Sequence, residues 1–284
     1  MKKRSTKEIK LQAKKTLQGH VGTVLLGLLA VYGLNMLGTI LSTNLFSGTS
    51  PLDLVLSEVF MLVVSLIVGI ISAGFGYMLL NISRGKEFSL GDLGYFFKNQ
   101  PDRVIIAGFV LAVIQIVTAI PYYYVSFTTD PGLTVDSQIK WLSMTLGLLA
   151  VSTLLNFLIS LPFAMTYFLM ADDTELGGLQ ALKESARLMK GNLWRYVKLN
   201  LSFVPLLLLS VFTFYIALFW IMPYMEMSMV AFYRDLDGEL DYRLPGNEGF
   251  GSFHNWTNDS GNGYDTENND GYRNDSEDDY NSEA

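Results

Sequence analysis

The stretch "LVLSEVFMLVVSLIVGIISAGFGYMLLN" (Leu54–Asn81) decides the fold class. Its twenty-eight residues hold no Lys or Arg and a single acid, Glu58, near one end. A helix needs about 20 mostly apolar residues to cross about 30 Å of hydrocarbon, so this run predicts a membrane-spanning helix. Val21–Phe46, Val104–Tyr124 and Trp141–Ala171 are runs of the same kind. The first is too long for the apolar core of a cleaved signal peptide and leads into another span, so it reads as a retained helix. A further apolar stretch, Val197–Tyr233, is interrupted by Pro205, Pro223 and Glu226. As one helix it would reach about 55 Å, well beyond a bilayer. It reads either as one span followed by an interfacial helix or as two short spans joined by a turn.

Composition agrees. The chain has 284 residues, half of them apolar and only 17% charged, and its mean hydropathy is +0.30. A soluble domain carries about a quarter charged residues. The net charge of −7 divides unevenly: from Arg234 onward 14 acids face 3 arginines, which leaves 17 basic and 13 acidic groups before it. The absence of cysteine excludes disulfides, thiol nucleophiles and thiolate metal sites.

Basic residues orient the spans, because loops on the cytoplasmic side hold the Lys and Arg excess. Seven lie between Lys2 and Lys15; Arg84, Lys86, Lys98 and Arg103 follow the second span; Lys183, Arg187, Lys190, Arg195 and Lys198 follow the fourth. The loops Ser47–Asp53 and Ser126–Lys140 contribute only Lys140. Sixteen against one predicts a cytoplasmic N-terminus. Each basic segment also carries an amphipathic pattern suited to the headgroup plane: Ile9, Leu11, Ala13 and Leu17; Leu90, Leu93, Phe96 and Phe97; Leu179, Leu182, Ala186 and Met189. "AKKTLQGH" (Ala13–His20) aligns with "SARLMKGN" (Ser185–Asn192), each with a glycine where a helix stops. A cytoplasmic amphipathic helix followed by a two-span hairpin, three times over, gives about six spans and favours six over five. The organisation expected is a basic amphipathic segment at 1–20, a transmembrane helical domain at 21–233 and an acidic tail at 234–284.

Four segments resemble a known family. They are "EIKLQAKKTLQGH" (Glu8–His20), "GYMLLNISRGKEFSLGDLGYFF" (Gly76–Phe97), "SARLMKGNLWRYVKLNLSF" (Ser185–Phe203) and "IMPYMEMSMVAFYRDL" (Ile221–Leu236). They are similar to the bacterial membrane-protein family called domain of unknown function 975, over about Ser5–Leu236. The resemblance implies a polytopic membrane fold in the bacterial cytoplasmic membrane; it implies no activity, ligand or catalytic residue.

Within the spans the polar residues are the functional candidates, since burying them in lipid is costly. Asn35, Gln115 and Asn156 lie near the middle of spans one, three and four. Neutral amides there serve either as interhelical glue or as the lining of a cavity. Ser65, Gly69 and Ala73 recur every four residues in span two, a spacing that lets two backbones approach and predicts a packing seam. Arg84 and Lys86 directly follow that span and are candidates for a lipid phosphate, basic groups at the cytoplasmic leaflet contributing about 1 kcal/mol each. Glu58 and Glu226 read as interfacial acids.

Catalytic constellations are missing. His20 and His254 have no evident partners, and the chain holds no HExxH, GxSxG or phosphate-binding glycine loop. "DLDGELD" (Asp235–Asp241) lacks the glycine at the sixth position that a calcium loop needs. The tail, rich in Asn, Asp, Gly and Ser, reads as disordered, with aromatic points such as Trp256 and Tyr264 available to a partner. The expectation is an all-α polytopic membrane protein that is not an enzyme. It acts as an interaction, scaffold or accessory component; the alternative is a small-solute or lipid transporter. The expected partners are the lipid bilayer and a protein partner or second copy, without nucleic acid, metal or cofactor.

Overall fold

The computed structural model describes residues 3–46 and 50–242, and every element among them is helical. The helices are α1 (Thr6–Leu17), α2 (Val21–Leu45), α3 (Pro51–Arg84), α4 (Tyr95–Lys98), α5 (Pro101–Thr128), α6 (Val135–Ser160), α7 (Thr166–Asp172), α8 (Gly178–Met189), α9 (Leu193–Leu201), α10 (Val204–Phe212), α11 (Leu218–Leu236) and α12 (Glu239–Tyr242). Five segments are long and apolar enough to cross a membrane: Val21–Leu45, Leu52–Arg84, Pro101–Ser126, Val135–Asp172 and Leu193–Phe212.

Local signals explain the boundaries. Ser5 opens α1 through a capping box: the Glu8 amide donates to the Ser5 hydroxyl, and the Ser5 amide donates to the Glu8 carboxylate at 2.7 Å. Pro51 stands in the first turn of α3, where its missing N–H costs nothing, and Gly85, at φ 68°, closes that helix in the left-handed conformation. One run expected to be continuous is interrupted, and the run expected to be divided is divided by a turn. The run Trp141–Ala171 breaks at Leu161–Met165, because Pro162 removes a backbone donor. Ser185 of α8 repairs the gap, donating to the Pro162 carbonyl (2.8 Å) and accepting from the Met165 amide (3.1 Å). The run Val197–Tyr233 breaks at Thr213–Ala217, whereas Pro223 is absorbed inside α11.

The long helices pair as antiparallel arms. Ser42 of α2 meets Ser57 of α3 at 2.9 Å, and the Asn156 amide of α6 donates to Thr118 of α5 at 3.2 Å. A third pair folds about Phe214: Arg195 meets Asp235, Tyr196 packs on Phe232 and Phe203 on Tyr224, so the legs on either side stay in register. The outer surfaces of α2, α5, α6 and the first half of α3 expose Leu, Ile and Val, as helices facing hydrocarbon do.

The dense core lies at the opposite end, around the second half of α3. Met78, Leu79 and Leu80 are almost inaccessible there, packed with Ile9 and Ala13 of α1, Phe96, Met165, Met189 and Phe232. The amphipathic segments therefore turn their apolar stripes onto the helical body. In α1 the stripe is Ile9, Ala13 and Leu17; in α8 it is Gly178, Ala181, Leu182, Ser185 and Met189, with Leu179 left exposed. The expected helix at Ser89–Asn99 is instead a 3-10 turn, Leu90–Gly94, followed by the single turn α4, which buries Leu93 and Phe96 while Leu90 and Phe97 stay exposed. Gly91 and Gly94 make that stretch a poor helix.

Arg234 and Asp235, expected to begin the tail, lie inside the body: α11 runs to Leu236 and α12 to Tyr242. The expected tail beyond Tyr242 lies outside the described residues.

Gly74 carries a close backbone approach in this core, since a Cβ there would collide with the Leu93 and Asp92 carbonyls. Gly74→Ala is expected to cost about 3 kcal/mol or more, because backbone must move to admit it. Gly33→Ala, with open space around it, should leave stability unchanged or slightly raised. Thermal unfolding of the two variants in one detergent checks this.

Candidate functional site

Two polar features stand out, one among the spans and one at the charged end. The first is a groove of about 370 Å³ between α3, α5, α6, α7 and α9. Gln115 and Asn156 both line it, joined by Ser65, Ser160 and Tyr167. Asn156 is half-buried and tied to Thr118, which itself donates back to the Ile114 and Gln115 carbonyls. Among the described residues neither the Gln115 amide nor the Tyr167 hydroxyl meets a protein partner. No carboxylate, imidazole or amine lines the groove. Its chemistry is that of neutral hydrogen bonding inside an apolar wall.

Small residues make room for it. The Tyr167 hydroxyl lies over Gly69, where a Cβ would come within 3.1 Å of it, and near Gly108, where the distance would be 3.7 Å. Ala73, one turn further along α3, is fully buried in the core, and its neighbour Gly76 receives Phe168. The small-residue face of α3 thus packs against α7 within the chain. Asn35 stands apart, half-buried on α2 and outside the groove lining. Tyr167 and Ser160 escaped sequence reading. A tyrosine in an apolar run reads as wall, and only the break at Pro162 turns these residues toward α5.

The second feature is a knot of charge. Arg84 binds Asp172 with two parallel bonds, of 2.6 and 2.9 Å, and also reaches Glu239 at 2.9 and 3.1 Å. Glu239 accepts from Arg234 at 2.7 Å, Arg234 donates to the Ser83 carbonyl at 2.5 Å, and the Tyr233 hydroxyl donates to Asp172 at 2.9 Å. Beside them Asp235 takes Arg195 at 2.5 Å and Arg4 at 3.4 Å, while Arg4 also donates to the Leu240 carbonyl at 2.8 Å. Arg234 and the Asp235 carboxylate are 1% exposed, so these charges exist only because they are paired. Arg84, expected to meet a lipid phosphate, instead directs its guanidinium at two carboxylates of the protein, while Lys86 is exposed on the turn after α3. Sequence gave no signal for this knot, whose partners stand 88 and 155 residues apart. Glu58, at the far end of α3, accepts from the Tyr123 hydroxyl. No group of acids and histidines that would hold a metal occurs among the described residues.

Residues 1–239 match the family described as "Protein of unknown function (DUF975)". The chain belongs to that family. The match covers the whole helical body up to Glu239, which is the acid that ties Arg84 to Arg234. No curated protein and no solved structure matches the chain.

Two outcomes follow from the knot. Arg84→Met leaves Asp172 and Glu239 without their shared cation and is expected to cost about 3 kcal/mol, read as a lower unfolding midpoint. Titration gives a second check. Burial, with Asp172 and Glu239 nearby, pushes the Asp237 carboxyl up to about 6, against the counter-pull of Arg84. Glu239 moves the other way: its burial is outweighed by the Arg84 and Arg234 bonds, which hold it below the usual range. For Asp237 the folded state binds the extra proton, so stability falls as pH rises from about 4 to 6. For Glu239 stability is complete above its unfolded value and is lost as pH falls through its depressed one. Asp237→Asn is therefore expected to raise the midpoint above pH 6 and leave it unchanged near pH 4, as unfolding scans across that range would reveal.

Proposed function

We propose that the protein is a non-enzymatic integral component of the bacterial cytoplasmic membrane, with its N-terminus on the cytoplasmic side, that acts by binding. The observation that carries this reading is the separation of its polar chemistry. The groove among the spans offers amides and hydroxyls and no acid–base group other than tyrosine, while at the charged end Arg84, Asp172, Arg234 and Glu239 are paired with one another and Asp235 with Arg195 and Arg4. Such a groove holds a hydrogen-bonding molecule without transforming it; bond-making chemistry calls for a positioned acid, base or nucleophile.

The basic excess on one side of the spans supports the orientation. A second reading, transport of a small solute or lipid, draws on the meeting of Gln115 and Asn156, from the two helices of one arm, at one groove. Both readings need an occupant or a partner.

Native mass spectrometry of the full chain, released from gently solubilised membranes, is expected to show a retained small molecule, a second copy or a stoichiometric protein. Gln115→Leu combined with Asn156→Leu should strip a retained small molecule while leaving the unfolding midpoint within a few degrees. A bare monomer in every mild detergent would count decisively against binding as the activity.

A further inference from the structure

The third arm differs from the other two in reach. The first two arms are built from helices of 25, 34, 28 and 26 residues, about 37–51 Å long. In the third, Lys10 of α1 sits between the legs. Its ammonium lies 4.0 Å from the centre of the Phe203 ring and 5.7 Å from that of Tyr224, and donates to the Ser202 carbonyl at 3.2 Å. Beyond that cation the chain runs from Phe203 to Tyr224 without a single charged residue, folded in half at Thr213–Ala217. Each leg has about ten residues left, roughly 16 Å, or half the hydrocarbon thickness.

The turn is built for a place without water. A backbone N–H in hydrocarbon must find its partner within the protein. Here Thr213 and Tyr215 donate to the Ser210 carbonyl, Phe214 to Val211, Ile216 to Thr213, and Leu218 to Tyr215. The Ala217 amide finds the Thr213 hydroxyl at 3.3 Å. Phe214 and Tyr215 hold positive φ, 50° and 65°, where a turn in water takes glycine or asparagine. The side chains at this tip, Phe212, Phe214, Tyr215, Ile216 and Trp220, are all exposed, Phe214 by 88%. By contrast "SGTSPLD" (Ser47–Asp53) and "TTDPGLTVD" (Thr128–Asp136), which end the other arms, carry Gly, Pro and Asp.

We propose that the third arm is re-entrant: it enters the bilayer from the charged end, turns within the hydrocarbon and returns, so that its aromatic tip is embraced by the acyl chains of a single leaflet. The occupant of this exposed apolar surface is the lipid interior itself. Four full spans and one half-depth hairpin then bring α11 back to the side from which α9 left.

The absence of cysteine makes the test direct. Tyr215→Cys, with Ile216→Cys as a second variant in case the first misfolds, is compared in membranes with Asp130→Cys and Lys190→Cys in the full chain. A charged, membrane-impermeant maleimide is applied from each side in turn. Asp130 and Lys190 are expected to label from opposite sides, and the tip from neither, at least about tenfold more slowly. Bimane attached at the tip after solubilisation and reconstitution should be quenched best by lipids brominated near the acyl-chain ends. Labelling of the tip together with Asp130 would show a full crossing, and labelling together with Lys190 an arm outside the bilayer; either overturns the proposal. Asp130 and Lys190 labelling from one side would remove the frame on which it stands.

Discussion

One arginine holds the charged end together. Arg84, the last residue of the longest helix, grips Asp172 from the end of α7 and Glu239 from the start of α12, and Glu239 in turn holds Arg234 against the backbone of α3. Burying such charges is expensive, and an apolar replacement of the whole set would cost no stability in principle. What the set supplies is uniqueness of register. Apolar helices slide past one another at little cost, whereas a guanidinium bonded to a carboxylate through two parallel contacts tolerates one alignment. The second half of α3, with α1, α8 and α11 packed around it, is aligned by that contact, and the positions of the groove residues above it follow.

The molecule keeps its polar chemistry in two separate currencies. Where hydrocarbon is expected, the groove uses only neutral donors and acceptors, whose desolvation is modest. Where water is near, full charges appear, and those of the knot are paired. Lys10 marks the border between the two regimes on the third arm, its stem along apolar surface and its head beside a helix end.

Spans and helical class were legible in the sequence because a bilayer imposes a length and a hydropathy that no soluble fold shares. Gln115 and Asn156 were legible as candidates for the same reason: an amide in a run of Ile, Val, Leu or Phe stands out. The break at Leu161–Met165 went unread although Pro162 causes it, and only the structure reveals Ser185 repairing it from α8. The end of the body was misread at Arg234. Its alternating charges resemble the acidic tail, and what places Arg234–Tyr242 in the body is pairing with residues far away in sequence. A pattern-based reading weighs each charge as solvated and has no means to see it neutralised by a partner on another helix. Leu179 fails for a related reason: helical spacing identifies a stripe, but Gly178 of α8, pressed against the Arg103 carbonyl, rotates the helix so that Leu179 faces outward.

The pairing of Arg4 with Asp235 joins residues 231 positions apart. During synthesis α1 leaves the ribosome roughly 200 residues before α11, so at ordinary elongation rates α1 waits on the order of tens of seconds for the surface that covers Ile9, Ala13 and Leu17. Throughout that interval its oily stripe has only lipid headgroups or a chaperone to rest on. Final assembly is thus withheld until α11 has been made, and a nascent chain truncated before Leu218 would leave this helix stranded at the membrane surface, a visible mark for proteolytic quality control.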